Sequence, residues 1–315
     1  GVVKSIDTNS VLGSGDTFVV EADEFNRSFL ELAPTIAVVN NIDLEHIDCY
    51  KDLEDLKNAF IQFANSVPFY GMVSICQDSD NAASIIPLID KPLVTYGIES
   101  DNVDFKAKNI IHSDGKVAFD VVHQKKSYSF SMNIPGLYNV LNALAAISVC
   151  KTMGLSIEDI SKSLKNFSGV KRRFDIKKHN EMITIIDDYA HHPVEVSSVI
   201  EAVKSNWDRR LLVIFQPHLF SRTKQFHKDF AKALFDADII FITQIFASRE
   251  KLDPSISSKR ISEHLRELNH ENVFDINTES LIEDIKRHYN EGDIILTIGA
   301  GNIWRYADTL TEKMK

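Results

Sequence analysis

The chain has 315 residues, a formal net charge of −10, a hydrophobic fraction of 44% and a charged fraction of 25%. This length accommodates about two domains of roughly 100–200 residues each, and the composition is that of a globular protein. The acidic balance and the lack of a long basic run argue against nucleic-acid partners. No stretch of about 18 or more uncharged apolar residues occurs, so we expect no membrane span and no membrane partner.

Cysteine usage indicates the cellular compartment. The three cysteines, Cys49, Cys76 and Cys150, lie far apart, are odd in number and form no CxxC motif. This pattern is typical of a reducing compartment and argues against a disulfide scaffold or a cysteine zinc site. Residues 1–16 lack the layout of a signal peptide. We therefore predict a cytoplasmic protein.

The first half of the chain alternates between apolar runs and helical patterns. Four runs predict buried strands: 17–21, 36–42, 73–76 and 93–96. A helical repeat at 53–65 places Leu53, Leu56, Phe60 and Phe63 on one face. Near-continuous apolar strands separated by helices indicate a parallel sheet that is covered on both faces.

Residues 103–132 have a different pattern. Alternating segments at 116–122 and 127–132, with Ser-Asp-Gly at 113–115, predict a small antiparallel excursion. Two predicted helices follow: 138–153 and 157–167.

A domain boundary is predicted near 168–173, which divides the chain into domains 1–170 and 171–315. Beyond it the strand–helix pattern restarts. The predicted strands are 183–186, 211–215, 239–242 and 294–298, and the predicted helices are 193–205, 222–235, 258–268 and 278–289. This order predicts an open, doubly wound sheet.

Two polar clusters follow strands that we predict in the first half, where ligands bind in open α/β sheets. Glu21, Asp23 and Glu24 follow the first strand, and the segment 41–48, which contains His46, follows the second. Crowded carboxylates repel one another unless a cation such as Mg²⁺ lies beside them, and a neutral histidine can ligate a metal. Each cluster alone is also compatible with a solvated loop. Together they favour a shared cation site.

Two further clusters lie at strand–helix junctions of the second half. The first is Asp187, Asp188, Tyr189, His191 and His192, which directly precede a helix that begins at Pro193. This density of functional groups is hard to assign to packing. The second cluster is His218, Ser221 and Arg222. Ser221 could cap a helix, whereas His218 and Arg222 could hold a small carboxylate, Arg222 by bidentate hydrogen bonds.

Two weaker signals remain. Residues 171–173 (KRR) form a basic patch that could contact phosphates or be an exposed linker. Gly299 and Gly301 open a predicted helix, and a lone GxG often serves only a tight turn.

In chain order, the segments EADEFNRSFL, NNIDLEHIDCY, NSVPFYG, PGLYNVLNALAA, GVKRRFD, IDDYAHHPVEV, FQPHLFSRT and IGAGN resemble the Mur ligase family. The pairing of DDYAHHPVEV with FQPHLFSRT is the most specific part, and the resemblance spans nearly the whole chain. It is nearest to the members that attach L-alanine to UDP-N-acetylmuramate.

The resemblance implies an α/β fold in two parts. The first is a central ATPase-type domain with a parallel sheet, incomplete here and carrying the antiparallel excursion. The second is a C-terminal Rossmann-like, doubly wound domain for the amino acid. The family's GxxGKT phosphate loop and its UDP-sugar domain are expected upstream of Gly1. We therefore expect an N-terminally truncated sequence whose isolated activity is in question.

The resemblance also implies chemistry. The expected reaction is the ATP- and Mg²⁺-dependent ligation of L-alanine to the lactyl carboxylate of UDP-N-acetylmuramate through an acyl phosphate, in peptidoglycan precursor synthesis. Glu21 and His46 match the metal ligands and, with His191, are the expected catalytic groups. The matched nucleotide contacts are Asn139, Asn142, Arg172, Arg173 and Asp188. The matched amino-acid pocket is Tyr189, His191, His218 and Arg222.

Three alternatives stay open. Within the family, a recycling ligase attaches a ready-made tripeptide to the same sugar. A metal-dependent hydrolase would use Asp187, Asp188, His191, His192 and His218 without a nucleotide. The chain could also be a non-catalytic nucleotide- or partner-binding module. The sequence does not indicate an oligomeric state.

Overall fold

The computed structural model describes residues 1–43 and 49–314. The first part of the chain contains six strands: β1 Ile36–Val39, β2 Met72–Cys76, β3 Leu93–Gly97, β4 Phe105–Ser113, β5 Lys116–His123 and β6 Lys126–Met132. Its α-helices are α1 Leu53–Asn65, α2 Asp80–Ile85, α3 Leu137–Thr152 and α4 Ile157–Asn166. Two short 3-10 helices are Phe25–Glu31 and Ile86–Leu88.

These strands form one sheet in the order β1-β2-β3-β4-β5-β6. The pairs from β1 to β4 are parallel, whereas β5 and β6 are antiparallel additions. Helices α1 and α2 pack on one face, where Leu56 and Phe63 are buried, and α3 and α4 pack on the other. The mainly parallel sheet with an antiparallel excursion is therefore confirmed.

The predicted strand at 17–21 is wrong. Phe18 and Val19 are each 88% exposed, and the segment has no strand hydrogen bonding. An apolar, β-branched run becomes a strand only where a neighbouring strand pairs with it and a face of it is covered. Neither condition holds for this segment among the described residues. The next predicted strand also ends early, at Val39.

The second part contains the strands β7 Asp175–His179, β8 Thr184–Asp188, β9 Leu211–Phe215, β10 Ile239–Ile242, β11 Val273–Asp275 and β12 Ile294–Ile298. Its helices are α5 Pro193–Asn206, α6 Phe220–Leu234, α7 Lys259–Glu267, α8 Leu281–His288 and α9 Trp304–Lys313. The strand order is β11-β10-β9-β12-β8-β7, and only β7 is antiparallel to its neighbour. Helices α5–α7 cover one face and α8–α9 the other, so the doubly wound fold is confirmed.

Two strands of the second sheet were not predicted from the sequence. β7 (DIKKH) and β11 (VFD) are the outer strands of the second sheet, and they are polar or very short. An edge strand buries fewer side chains than a central one, so its sequence carries little apolar periodicity.

Within the described ranges, no helix combines the length and apolar character that a bilayer crossing requires.

The turn between β4 and β5 packs against the second part of the chain. Asp114 Oδ1 lies 2.6 Å from His179 Nε2 and accepts a hydrogen bond of 3.4 Å from the Trp207 indole. The next residue, Gly115, has a φ of +74°, and a Cβ there would lie 3.1 Å from the Ile176 side chain and 3.2 Å from that of Trp207. The hairpin tip therefore makes a close contact with the second domain, in addition to the covalent connection near residue 170.

We predict that Gly115→Ala destabilises this contact more than Gly154→Ala. Both glycines have positive φ, which costs an L-residue about 1–2 kcal/mol. A methyl group added at Gly154 (φ +88°) would have no heavy atom within 4 Å, whereas one at Gly115 would meet Ile176 and Trp207. Urea unfolding followed by tryptophan fluorescence measures the difference, for which we expect about 1 kcal/mol or more. Equal midpoints for the two variants would contradict the contact.

Candidate active site

Three loops meet at the carboxyl edge of the second sheet. β12 pairs with both β8 and β9, and Ile298 is in register with Asp188 on one side and Phe215 on the other. The loops that follow these strands begin at Tyr189, Gln216 and Gly299. The order of the strands therefore brings two of the polar clusters identified in the sequence side by side.

Asp188 is buried at the end of β8. Its carboxylate accepts hydrogen bonds of 2.7 Å from the backbone N–H of Phe174 and 2.7 Å from that of Ala190. Burial raises its pKa to about 6, although the two N–H donors favour the charged form. Asp188 is thus mostly ionised at neutral pH, and it holds the linker and the β8–α5 loop together.

Asp187 and Arg172 form a second internal contact. Asp187 accepts a hydrogen bond of 2.6 Å from Thr297 Oγ1, and Arg172 Nε lies 3.3 Å from its other oxygen. Arg172 also donates to the carbonyl of Gly299, and its guanidinium lies 4.8 Å from the centre of the Tyr189 ring. Burial raises the pKa of Asp187. Both side chains are therefore engaged in holding the three loops.

A cavity of about 510 Å³ lies between the two parts of the chain. Its polar lining from the first part is Glu24, Asn40, Asn41, Asp43, Tyr138 and Asn142, and from the second part Arg173, Asp188, His192, Glu195 and Ser198. Three of the predicted nucleotide contacts, Asn142, Arg173 and Asp188, therefore line one space.

The other two predicted nucleotide contacts lie elsewhere. Asn139 does not line the cavity, and its amide donates to the carbonyl of Pro135 at 2.7 Å. Arg172 is engaged by Asp187, as described above. A nucleotide role for these two residues stays a prediction.

Three residues of the predicted amino-acid pocket, Tyr189, His191 and His218, lie close together beside this cavity. Ring centroids are 5.3 Å apart for Tyr189 and His191, and 6.0 Å apart for His191 and His218. His191 Nδ1 lies 3.3 Å from a carboxylate oxygen of Glu195, which also accepts the His191 N–H at 2.8 Å. Glu195 links the pocket to the cavity, because it lines the cavity too.

His218 is held in an uncharged state. Burial, followed by the neighbouring His191 and Arg222, lowers its pKa to about 4. Its ring stacks on Phe246 with centroids 6.0 Å apart, and its buried Nδ1 has no hydrogen-bond partner among the described residues. A neutral imidazole with one free nitrogen is suited to a hydrogen bond with a bound ligand.

Two family domains match the two parts of the chain. The Mur ligase middle domain matches residues 6–150, and the Mur ligase glutamate ligase domain matches residues 172–301. The chain belongs to the Mur ligase family. It is 43% identical to the UDP-N-acetylmuramate–L-alanine ligase of Geotalea uraniireducens and 42% identical to that of Geotalea daltonii, over 100% of this chain and 69% of either relative.

Solved structures of the family have the same fold. The crystal structure of UDP-N-acetylmuramate-alanine ligase MurC from Thermotoga maritima matches with a TM-score of 0.74 and 26% identity, over 91% of this chain and 61% of that one. MurF from Acinetobacter baumannii matches with a TM-score of 0.74 at 20% identity, over 91% and 62%. This Mur ligase chain thus spans about two thirds of the length of its relatives.

The predicted magnesium site of this Mur ligase lies partly outside the described residues. Glu21 has a side chain that is 88% exposed, and its carboxylate lies 3.9 Å from the N-terminal ammonium group. His46 lies outside the described residues. No group of three or more His, Cys, Asp or Glu side chains within residues 1–43 and 49–314 could hold a metal ion. Ligation by Glu21 and His46 stays a prediction.

The structure does not support the alternative of a metal-dependent hydrolase. Asp187 and Asp188 both accept hydrogen bonds from within the protein, and they form no metal-binding group with His191, His192 or His218 in the described ranges.

Ser221 is not the helix cap that the sequence suggested. It is the second residue of α6, and the N-cap residue is Leu219, which has a φ of +70°. The cap is the carboxylate of Glu250, which accepts the N–H groups of Phe220 at 2.6 Å and Ser221 at 3.1 Å. Sequence reasoning missed Glu250, because it comes from a loop about 30 residues farther along the chain.

The sequence analysis also did not assign a role at the site to two other residues, Tyr138 and Gln216. Tyr138 lines the cavity, and its buried hydroxyl has no hydrogen-bond partner among the described residues. Gln216 Oε1 accepts the N–H of Ile303 at 3.2 Å and would lie 2.3 Å from a Cβ at Gly301. The glycine at 301 therefore serves close packing, as a lone GxG often does.

We predict a specific pH dependence for His218→Gln. The folded-state pKa of about 4 lies below the ordinary value of 6.5. Between these pH values His218 is therefore protonated in the unfolded chain and neutral in the folded protein. The stability of the unsubstituted protein should therefore fall as the pH falls from 6.5 to 4, and the variant should lack this part of the decline. Urea unfolding at both pH values measures it. A difference between the two proteins that is independent of pH would contradict the burial of His218.

Proposed function

We propose that the protein is an ATP-dependent UDP-N-acetylmuramate–L-alanine ligase that acts in the cytoplasm in peptidoglycan precursor synthesis. The γ-phosphoryl group of ATP would pass to the lactyl carboxylate, giving an acyl phosphate and releasing ADP. The amine of L-alanine would then attack the acyl carbon, phosphate would leave, and an amide would form. The observation that carries the proposal is the two-sided cavity lined by Asn142, Arg173 and Asp188, which adjoins the pocket of Tyr189, His191 and His218.

The cavity suits a nucleotide. Asp188 is mostly ionised at neutral pH and can accept hydrogen bonds from ribose hydroxyls. Asn142 offers an amide with both a donor and an acceptor, as an adenine edge requires. Arg173 is 54% exposed and lies at the junction, where its guanidinium can neutralise phosphate oxygens. Tyr138 adds a hydroxyl that has no partner among the described residues.

The adjoining pocket suits a small amino acid. Arg222 would hold the carboxylate, and neutral His218 would accept a hydrogen bond from the amine. Because Glu195 borders both spaces, the amine would lie close to the acyl phosphate, and this proximity lowers the barrier to amide formation. Closure of the two domains around the nucleotide would exclude water from the acyl phosphate. Mg²⁺ would supply neutralisation of phosphate charge.

The names of the relatives support L-alanine as the amino acid. No contact in the described part of the pocket specifically favours the tripeptide of the recycling ligases. A ligation assay in which L-alanine competes with the tripeptide separates the two, and preferential use of the tripeptide would refute our choice.

Two substitutions should affect different substrates in the full-length gene product. Arg222→Ala should raise the KM for L-alanine by about tenfold or more, since a hydrogen bond to a charged group contributes about 1.5–3 kcal/mol, and should leave the KM for ATP nearly unchanged. Asn142→Ala should raise the KM for ATP and leave the KM for L-alanine nearly unchanged. Steady-state kinetics with each substrate varied measures both.

Arg260→Ala is the matched control, because Arg260 is an exposed arginine on α7 that pairs with Glu263 at 3.0 Å. An unchanged KM for L-alanine in Arg222→Ala would refute the pocket assignment. A rise of both KM values in both variants would instead indicate general damage to the fold.

A further inference from the structure

The N-terminus of α6 lacks a cap from its own sequence. The helix has 15 residues, no acidic residue in its first turn, and an N-cap residue, Leu219, whose side chain makes no capping hydrogen bond. The first N–H groups of a helix need acceptors and carry a partial positive charge. This end of α6 lies next to His218 and Arg222, so an anion-attracting group borders the amino-acid pocket.

Glu250 fills that position with a charge of its own. Besides the N–H groups of Phe220 and Ser221, its carboxylate accepts the hydroxyl of Ser221. Burial raises the pKa of Glu250, but these hydrogen bonds outweigh burial and lower the pKa below the ordinary value. Glu250 is therefore ionised at neutral pH.

The loop that carries Glu250 is fastened to the pocket wall. The Phe246 N–H donates to the carbonyl of Pro217 at 2.8 Å, and the Leu219 N–H donates to that of Phe246 at 3.0 Å. The Phe246 ring also stacks on His218. These contacts fix the loop to residues 217–219, so the position of the Glu250 carboxylate follows from that of His218.

The carboxylate of Glu250 acts on His218 against its other neighbours. Burial, His191, Arg222 and Arg249 lower the pKa of His218, whereas Glu250 raises it. Glu250 already supplies the negative charge at the end of α6. A second carboxylate on a substrate whose first carboxylate is bound at Arg222 would therefore face a fixed negative charge.

We propose that Glu250 is a specificity-determining residue of the amino-acid site, which excludes amino acids with an acidic side chain. The inference rests on the proposed function, because it takes Arg222 and His218 as the site of the amino acid. The repulsive element acts against the wrong substrate, and the small neutral substrate is unaffected by it.

The test compares L-aspartate with L-asparagine, which have nearly the same size and differ in side-chain charge. Both are measured as competitive inhibitors of L-alanine ligation by the full-length gene product, in the unsubstituted protein and in Glu250→Gln. Glutamine keeps an oxygen that can accept the α6 N–H groups but lacks the charge. We expect the inhibition constant for L-aspartate, divided by that for L-asparagine, to fall by about tenfold or more in the variant.

Glu271→Gln is the control, since Glu271 is an exposed glutamate beyond α7 and its substitution changes the net charge equally. An unchanged ratio in Glu250→Gln, or no detectable inhibition of that variant by L-aspartate, would overturn the proposal and leave Glu250 as a helix cap only. If the unsubstituted protein does not ligate L-alanine, the proposed function fails instead. Calorimetric titration of the same two amino acids into both proteins then measures, without turnover, whether Glu250 discriminates against L-aspartate.

Discussion

The buried carboxylate of Asp188 is the constraint on which the site depends. A carboxylate taken out of water is stable only if donors replace the lost hydration, and here the N–H groups of Phe174 and Ala190 do so. One donor belongs to the linker and the other to the loop that follows β8. The same two hydrogen bonds therefore fix Arg173 on one side and Tyr189 and His191 on the other, at the edge of the interdomain cavity.

Sequence patterns predicted the parts of the fold that local burial determines. β9, β10 and β12 have the predicted bounds because each is a run of apolar residues buried on both faces. The segment 17–21 (TFVVE) has a similar apolar centre but no pairing partner in the described structure, and an apolar run alone does not show whether a partner strand exists. The resemblance to the Mur ligases identified Asn142, Arg173 and Asp188, which the fold then brought to one cavity.

What the sequence could not predict depends on contacts between distant residues. Glu250 caps a helix that begins 30 residues earlier, so no local motif marks it. The hydroxyl of Tyr138, unpaired among the described residues, is visible only once α3 lies beside the second domain. His218 and Glu250 show how such contacts set charge: burial keeps the imidazole neutral, and hydrogen bonds keep the neighbouring carboxylate ionised. The pocket thus combines an uncharged nitrogen with a fixed negative charge.

The proposed function requires that one nucleotide contacts both walls of the cavity. Hydrogen–deuterium exchange of the full-length gene product, with and without Mg²⁺ and a non-hydrolysable ATP analogue, tests this requirement most directly. We expect the ligands to slow exchange on both sides, around residues 138–142 in the first domain and around residues 188–195 in the second. Protection confined to one domain, or none at either wall, would contradict a shared nucleotide site.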